Sequence, residues 1–301
     1  MREKNESKMK LRILYKQQII LTILLIICSQ YYACSQGTDL SRGKHSGIFF
    51  GIAVNPSQSQ IINEKPSSLS GLLSTKENVF SGSFEIGYFF SRVIGLSSGF
   101  GFVPYKTQLS LANYQNNYNT TDSENDSYER QISGSKIKEE QKLGFMIVPI
   151  CLNLRLPFNR TSGFFLQPGI NLAFPLSNNY RSNGVFTYKG YYPDYNVLLE
   201  NLSSYGFPTS LNSDADGELE LKSFIINIVG SVGFDFFIQE KIQIAIAGSY
   251  NKSLSGISNY PSPENFILSS DAGSISSIMG GSSKVTLQSM GISISLRYYL
   301  K

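Results

Sequence analysis

The last twelve residues of the chain, "MGISISLRYYLK" (290–301), change character at every step. Apolar or aromatic side chains occupy alternate positions: Met290, Ile292, Ile294, Leu296, Tyr298 and Leu300. Most positions between them hold small, polar or charged side chains, Arg297 among them. Because successive side chains of a β-strand point to opposite faces, the stretch predicts a strand with one apolar and one polar face.

Seven other segments show the same period of two and are also predicted to be strands. They are residues 46–55, 79–90, 93–111, 136–157, 163–176, 221–238 and 241–251. No amphipathic helix of useful length appears beyond the first 35 residues. The sequence therefore predicts an all-β protein with eight antiparallel strands.

The connections between these strands alternate between short and long. Short ones lie at 91–92, 158–162 and 239–240, and long ones at about 55–78, 112–135, 177–220 and 252–283. A soluble sandwich would also show alternating side chains, but it has no reason to sort its loops by end. The sorting is typical of up-and-down outer-membrane β-barrels, which have short periplasmic turns and long extracellular loops. We therefore expect a transmembrane barrel over 46–301, with both termini periplasmic.

A leader precedes the predicted barrel. Residues 1–18 are basic, and the apolar run at 19–28 is too short to span a bilayer, so residues 1–35 are predicted to be a signal peptide. Cleavage is expected after Ser35, which leaves 36–45 as a short periplasmic segment. A lipidated Cys34 is the alternative N-terminus.

The mature chain has few features of a nucleic-acid or disulfide-bonded protein. Removal of the leader takes away six basic and two acidic residues, which leaves 20 of each sign. A net charge near zero gives no reason to expect nucleic acid as a partner. With cleavage after Ser35, Cys151 is the remaining cysteine, so no intramolecular disulfide is expected.

Three strands also resemble a family. The segments "FMIVPICLNLRLPF" (145–158), "GFFLQPGINLAF" (163–174) and "GISISLRYYLK" (291–301) resemble the PorT-like outer-membrane β-barrel families of Bacteroidota. The matching positions are Pro149, Leu152, Leu154, Phe158, Phe165 and Gly169. The resemblance implies an outer-membrane location. Because the namesake of the family is implicated in protein secretion, it also implies a scaffold or accessory role, with the lipid bilayer and other envelope proteins as partners.

The lumen of an eight-stranded barrel is narrow enough to be filled by side chains. Glu85, Arg155, Asp235 and Arg297 are predicted to point inward from the second, fourth, sixth and eighth strands, near the end with the short turns. One hypothesis is an alternating acid–base layer that plugs the lumen. The other is four separately solvated charges.

Catalytic and metal-binding patterns are missing from the sequence. His45 is the single histidine and precedes the first strand, and no nucleophile elbow or phosphate loop is present. Asp122, Glu124 and Asp126 have calcium-loop spacing but lack the supporting glycine and distal glutamate. Glu139 and its neighbour are interpreted as a solvated strand end. The sequence predicts no enzyme, cofactor or metal.

Tyrosine-rich loops offer the remaining candidate site. Tyr188, Tyr191, Tyr192 and Tyr195 lie in the third long connection, among asparagine, serine and glycine residues. Such residues make adaptable contact surfaces at low entropy cost. The alternative function is therefore an adhesin or receptor that binds protein or glycan through these side chains. Loops of this composition could also simply shield the barrel mouth.

Overall fold

The computed structural model describes residues 47–64, 69, 71–238, 241–261 and 263–300. The predicted signal peptide, its alternative ends at Cys34 and Ser35, the 36–45 segment and His45 lie outside the described residues. Within the described ranges, no helix is long and apolar enough to cross a membrane.

Eight antiparallel strands form a closed ring, as the sequence predicted. The ring contains β1 (Gly47–Glu64), β3 (Glu77–Phe89), β4 (Ile94–Thr121), β5 (Ser127–Pro157), β6 (Ser162–Tyr192), β9 (Ile225–Ile238), β10 (Ile242–Ser253) and β11 (Lys284–Tyr299). Each strand pairs with the next member of this series, and β11 pairs with β1 to close the ring. One end of the ring, the turn end, carries the short connections. The opposite end is the loop end.

Three smaller strands belong to the loop end. They are β2 (Leu73–Ser74), β7 (Val197–Leu199) and β8 (Leu211–Glu218). β2 pairs with β4, whereas β7 and β8 pair with β6. β3 and β9 do not extend this far towards the loop end. The three smaller strands take their place as pairing partners, so the long strands β4, β5 and β6 remain in a sheet. Short 3-10 helices at Ser203–Tyr205, Pro263–Asn265 and Ile278–Gly281 complete this end.

An apolar band surrounds the barrel next to the turn end. On β11, the alternate apolar residues Met290, Ile292, Ile294, Leu296 and Tyr298 point outward and are exposed, whereas Arg297 is buried in the lumen. On β5 the outward apolar positions run from Met146 to Leu156. The ten residue steps from Met146 to Leu156 span about 33 Å along the strand and roughly 25 Å across the membrane for a tilt of about 40°. This height matches the hydrocarbon region, so the barrel spans a membrane.

Side-chain polarity reverses above this band. On β4, Val103, Tyr105 and Leu109 are buried inside the barrel, whereas Lys106 and Gln108 face out. The outer face is therefore apolar in the membrane and polar beyond it, and the inner face follows the opposite rule. A strand that leaves the bilayer must solvate its outer face, and its inner face can then form an apolar core.

The predicted long loops at 112–135 and 177–220 were wrong in extent. β4 continues to Thr121 and β5 begins at Ser127, so most of the first range is a β-hairpin. The second range contains the end of β6 together with β7 and β8. The 55–78 range likewise holds the end of β1, β2 and the start of β3. The polar outer face of these strand extensions was mistaken for loop composition.

The predicted loop at 252–283 has a different role. Beyond the end of β10, its residues 254–261 and 263–283, here called the lid segment, fold into the loop end of the barrel. Ile257, Leu268, Ile278 and Met279 are almost completely buried in it. They pack against inward side chains of the long strands in two apolar clusters. The lid segment thus supplies the core that the extended wall requires.

The membrane band can be tested with one introduced charge. Ile294→Lys should lower the free energy of unfolding by about 2–4 kcal/mol, because Ile294 faces the middle of the bilayer. The measurement is urea unfolding in lipid vesicles, followed by the mobility difference between folded and boiled protein on a cold gel. Gln108→Lys, on the outer face above the band, is the control and should change little. Equal effects of both substitutions would contradict the assigned band.

Candidate functional site

The four charged side chains predicted for the lumen lie together near the turn end, and they form two ion pairs. Arg155 donates from Nε to Asp235 Oδ2 at 2.7 Å and from Nη2 to Oδ1 at 2.8 Å. Their side chains are 3% and 0% exposed. This fork-to-fork geometry satisfies both carboxylate oxygens of Asp235. The pair therefore joins β5 to β9 across the lumen.

The second pair joins β11 to β3. Arg297 donates from Nε to Glu85 Oε2 at 3.0 Å and from Nη2 to Oε1 at 3.2 Å. Gln167 donates a further hydrogen bond of 2.8 Å to Glu85 Oε1, and Gln243 donates one of 2.9 Å to Asp235 Oδ2. Charges removed from water need hydrogen-bond partners, and each of these two glutamines adds a donor to one of the buried carboxylates.

Aromatic rings close the turn end beneath the charges. Phe49, Phe89, Phe237 and Tyr299 form a buried cluster there. The guanidinium of Arg155 lies 4.9 Å from the ring centre of Phe237, and that of Arg297 lies 5.0 Å from that of Phe49. Tyr299 donates a hydrogen bond of 2.9 Å to Gln243. The sequence analysis missed these supporting side chains. Their inward positions were readable from the alternation, but their partners were not.

A small polar chamber lies on the other side of the charged layer. Its volume is about 120 Å³, and half of the residues that line it are serine or asparagine. Cys151 also lines it, with Glu85 and Arg297 on the turn-end side. Towards the loop end the chamber meets Val103 and Ile147, which belong to the apolar cluster completed by the lid segment. The described side chains thus fill the lumen on both sides of the chamber.

Glu139 occupies a position that the sequence analysis interpreted wrongly. It is not a solvated strand end, since it points inward from β5 and is 1% exposed. Its Oε1 accepts hydrogen bonds from Gln141 at 2.6 Å and Ser277 at 2.7 Å. Its Oε2 accepts from Ser182 at 2.5 Å and from the Ile278 amide at 2.8 Å. Glu139 therefore attaches the lid segment to β5 and β6.

Burial raises the pKa of Glu139 above its ordinary value of 4.5, although its four hydrogen-bond donors act in the opposite direction. Folding therefore favours the protonated acid. That contribution to stability is complete below the pKa of the unfolded chain and is lost as the pH rises through the raised pKa. Tyr180 and Tyr260 are the titratable neighbours that interact electrostatically with this carboxyl.

The tyrosines predicted to form a contact surface do not lie together. Tyr188 is 0% exposed, packs in the apolar core and bonds through its hydroxyl to Ser269 of the lid segment, so its assignment to a contact surface was wrong. Tyr191 and Tyr192 are half-buried. Tyr195 is 61% exposed. The inward alternation of β6 continues to Tyr188, which explains its burial.

Exposed apolar side chains do gather at the tip of the loop end, around β7. We define this tip surface by its five members: Tyr195, Val197, Leu198, Leu202 and Tyr205. Tyr205 is the most exposed, at 74%. Leu176 is the last outward apolar residue of the band on β6. Sixteen residues further along that strand, Tyr192 pairs with β7. That is roughly 40 Å above the band for a tilted strand, so lipid does not cover the tip surface.

Hydrogen bonds hold the tip surface in place. Tyr192 donates to Asp122 and Tyr195 donates to Asp126, both at 3.1 Å. Asp122 also accepts from the backbone amides of Glu124 and Asp126. These carboxylates are thus used within the β4–β5 turn. Among the described residues, no group of three or more His, Cys, Asp or Glu side chains could hold a metal ion.

No family model matches the sequence, and no curated protein is similar to it. The structure is similar to Neisserial surface protein A, with 9% identity over 85% of this chain and 98% of that chain, at a TM-score of 0.37. It is also similar to the outer membrane protein OprG from Pseudomonas aeruginosa, with 13% identity over 86% and 99%, at a TM-score of 0.34. At TM-scores below 0.5 these likenesses carry no argument about function, and the barrel assignment rests on the closed strand ring.

The sequence analysis excluded an enzyme, and that exclusion was wrong. The similar structures include the outer membrane protease OmpT from Escherichia coli, with 8% identity over 84% of this chain and 97% of that chain, at a TM-score of 0.32. The absence of a catalytic motif in the sequence does not by itself exclude an enzyme.

The ion pairs can be tested by removing one partner at a time. Arg155→Met and Asp235→Leu should each lower the free energy of unfolding by about 3–5 kcal/mol, because each leaves a buried charge unpaired. The double variant should recover most of that loss, since neither charge then remains. Urea unfolding in vesicles measures all three. Additive losses in the double variant would show that the two side chains are not coupled.

The Glu139 attachment can be tested by pH. The free energy of unfolding of the wild type should fall relative to that of Glu139→Gln as the pH rises from about 4 to 9, since only the wild type must ionise a buried acid. The measurement is urea unfolding at several pH values. Glu140→Gln, on the exposed outer face, is the control and should keep the wild-type pH dependence. Parallel curves for the wild type and Glu139→Gln would contradict the assignment.

Proposed function

We propose that the protein is an outer-membrane receptor or adhesin that binds its partner through the tip surface. The loop end then faces the outside of the cell, and both termini lie in the periplasm, as is usual for barrels with short periplasmic turns. A lumen filled by ion pairs, aromatic rings and the lid segment favours an anchor over a conduit. The membrane part thereby holds the loop end in position.

The exposed tip surface is the observation that carries this proposal. Five exposed apolar side chains within eleven residues of the chain are costly to leave in water, and apolar patches commonly mark interaction sites. Two of the five members are tyrosines, which offer a large contact area for little loss of side-chain entropy. The patch lies far from lipid, so the membrane does not account for it.

The framework beneath the tip surface supports binding with little rearrangement. The ring of Tyr128 stacks on that of Tyr192, with centroids 5.0 Å apart, and Phe207 packs edge-on against Tyr128. β7 pairs with the end of β6 through Val197 and Leu198. A surface already held in its binding conformation loses less entropy when a partner arrives.

A scaffold or accessory role in an envelope or secretion assembly is the second candidate function. The PorT-like resemblance of the β5, β6 and β11 sequences supports it. The filled lumen fits this role equally well, because a scaffold does not need to conduct. The two candidates differ in the surface that meets the partner, since a scaffold of this kind can work through its periplasmic turns.

A triple variant at the tip separates the two candidates. Tyr195→Ser, Leu198→Ser and Tyr205→Ser together remove most of the exposed apolar area while leaving the strands intact. Deletion of residues 184–212 would be unsuitable, because it removes the end of β6 and the start of β8. The control variant carries Leu254→Ser, an exposed apolar position outside the tip surface.

The folded variants are tested on arrays of purified extracellular glycans and proteins. Binding by the wild type should weaken about 30-fold or more in the triple variant, since one central aromatic contact is worth about 2 kcal/mol, and the control should bind like the wild type. The receptor proposal fails if the wild type binds nothing on the arrays. A stable envelope assembly that survives the triple substitution would then support the scaffold.

A further inference from the structure

A groove of about 570 Å³ lies on the outer wall of the loop end, below the tip surface. Segments of β4, β5, β6 and β8 form its floor, and Leu73 of β2 lies at one side. On β4, Phe102 lies at the upper edge of the apolar band, and Ser110 of the groove lies eight residues further along the strand. That is roughly 20 Å above the band for a tilted strand. The groove therefore opens sideways, at a level that chains attached to neighbouring lipids can reach.

An irregularity in the sheet forms this groove. The register of β5 against β6 shifts between Ser135 and Lys138, and Lys136 has a positive φ of 53°. On the β4 side, Ala112 and Lys136 do not pair, although the residues on either side of them do. A bulge of this kind leaves backbone groups outside the regular ladder and redirects neighbouring side chains. Such strained positions are often found at binding sites.

The polar side chains of the groove favour an anion. Lys136 and Lys138 both line it, and neither forms an ion pair with a described carboxylate. Two like charges that line one groove repel each other, and a bound phosphate would relieve that repulsion. Asp214, at the β8 side, is the one carboxylate among the described lining residues, so the lysines outnumber it.

The remaining lining residues fit a saccharide. Asn183 and Asn212 offer amide donors and acceptors for hydroxyl groups. Leu73, which is exposed, and Val185 offer apolar area for the carbon face of a sugar ring. The combination of lysines, amides and a small apolar area in a shallow groove matches a phosphorylated sugar better than a purely apolar ligand.

We infer that the groove binds the phosphate-bearing saccharide of glycolipids in the surrounding outer leaflet. The inference rests on the outward orientation of the loop end in the proposed function, because such glycolipids must share a leaflet with the groove. It adds a second site, on the wall, to the proposed partner site at the tip. Each barrel would then carry bound glycolipid at its perimeter while the tip surface stays free.

The test uses the full barrel folded in detergent, with purified short-chain lipopolysaccharide as the probe. The same lipopolysaccharide after chemical dephosphorylation forms the second arm, and inorganic phosphate as a competitor forms the third. The groove variant is Lys136→Gln with Lys138→Gln. The control variant is Lys106→Gln with Lys252→Gln, which removes two exposed lysines nearer the apolar band.

The groove variant should bind the phosphorylated probe at least about tenfold more weakly than the wild type, since it loses two charge-assisted contacts to the phosphate. The control variant should bind like the wild type, and the dephosphorylated probe should bind weakly to all three. Equal losses in both variants would show general charge attraction and overturn the inference. Complete displacement by millimolar inorganic phosphate would also overturn it, because the saccharide would then contribute nothing.

Failure of this inference can be told apart from failure of the proposed function. An epitope tag inserted after Ser203 should be reached by antibody on intact cells if the loop end faces outward. Antibody access together with no lipopolysaccharide binding overturns the groove site alone. No antibody access would remove the shared premise of both proposals.

Discussion

Closure of the strand ladder is the constraint on which the rest of this structure depends. Hydrocarbon offers no partner to a backbone amide or carbonyl, so a sheet that crosses a bilayer must have no open edge. Eight strands suffice to close it, but they leave a lumen too narrow for a wide aqueous pore. The lumen must then be filled, and charges placed there must pair. The Arg155–Asp235 and Arg297–Glu85 pairs, with their glutamine and aromatic neighbours, meet that requirement.

The membrane part of the fold was predictable because lipid requires every outward side chain of a strand to be apolar, which leaves a clear alternation in the sequence. The ends of the strands beyond the bilayer were not recognised, although they keep the same period, because their apolar faces turn inward. Tyr114 of β4 and Ile132 of β5 are buried core residues, yet the polar residues around them resemble a loop in the sequence. The sequence likewise gave no sign that the lid segment would supply the matching core, since its contacts come from strands far away in the chain.

The candidate sites were predictable to different degrees. The inward direction of Glu85, Arg155, Asp235 and Arg297 followed from the alternation of inward and outward side chains within short, regular strands. Their pairing depends on strand tilt and stagger, which the sequence does not show. The burial of Tyr188 was missed because β6 was taken to end before it. The wall groove depends on the bulge at Lys136, and no residue type marks that bulge.

A scan of spin labels along β5 tests the reversal of side-chain polarity on that strand. Single labels between residues 130 and 156 are compared for collision with oxygen, which concentrates in lipid, and with a water-soluble nickel complex. Labels at Val148 and Leu152 should collide more with oxygen, and labels at Lys138 and Lys142 should collide more with the nickel complex. A label at Leu143, which points inward, should be shielded from both. Uniform access to nickel throughout 130–145 would show a solvated loop there and contradict the extended barrel.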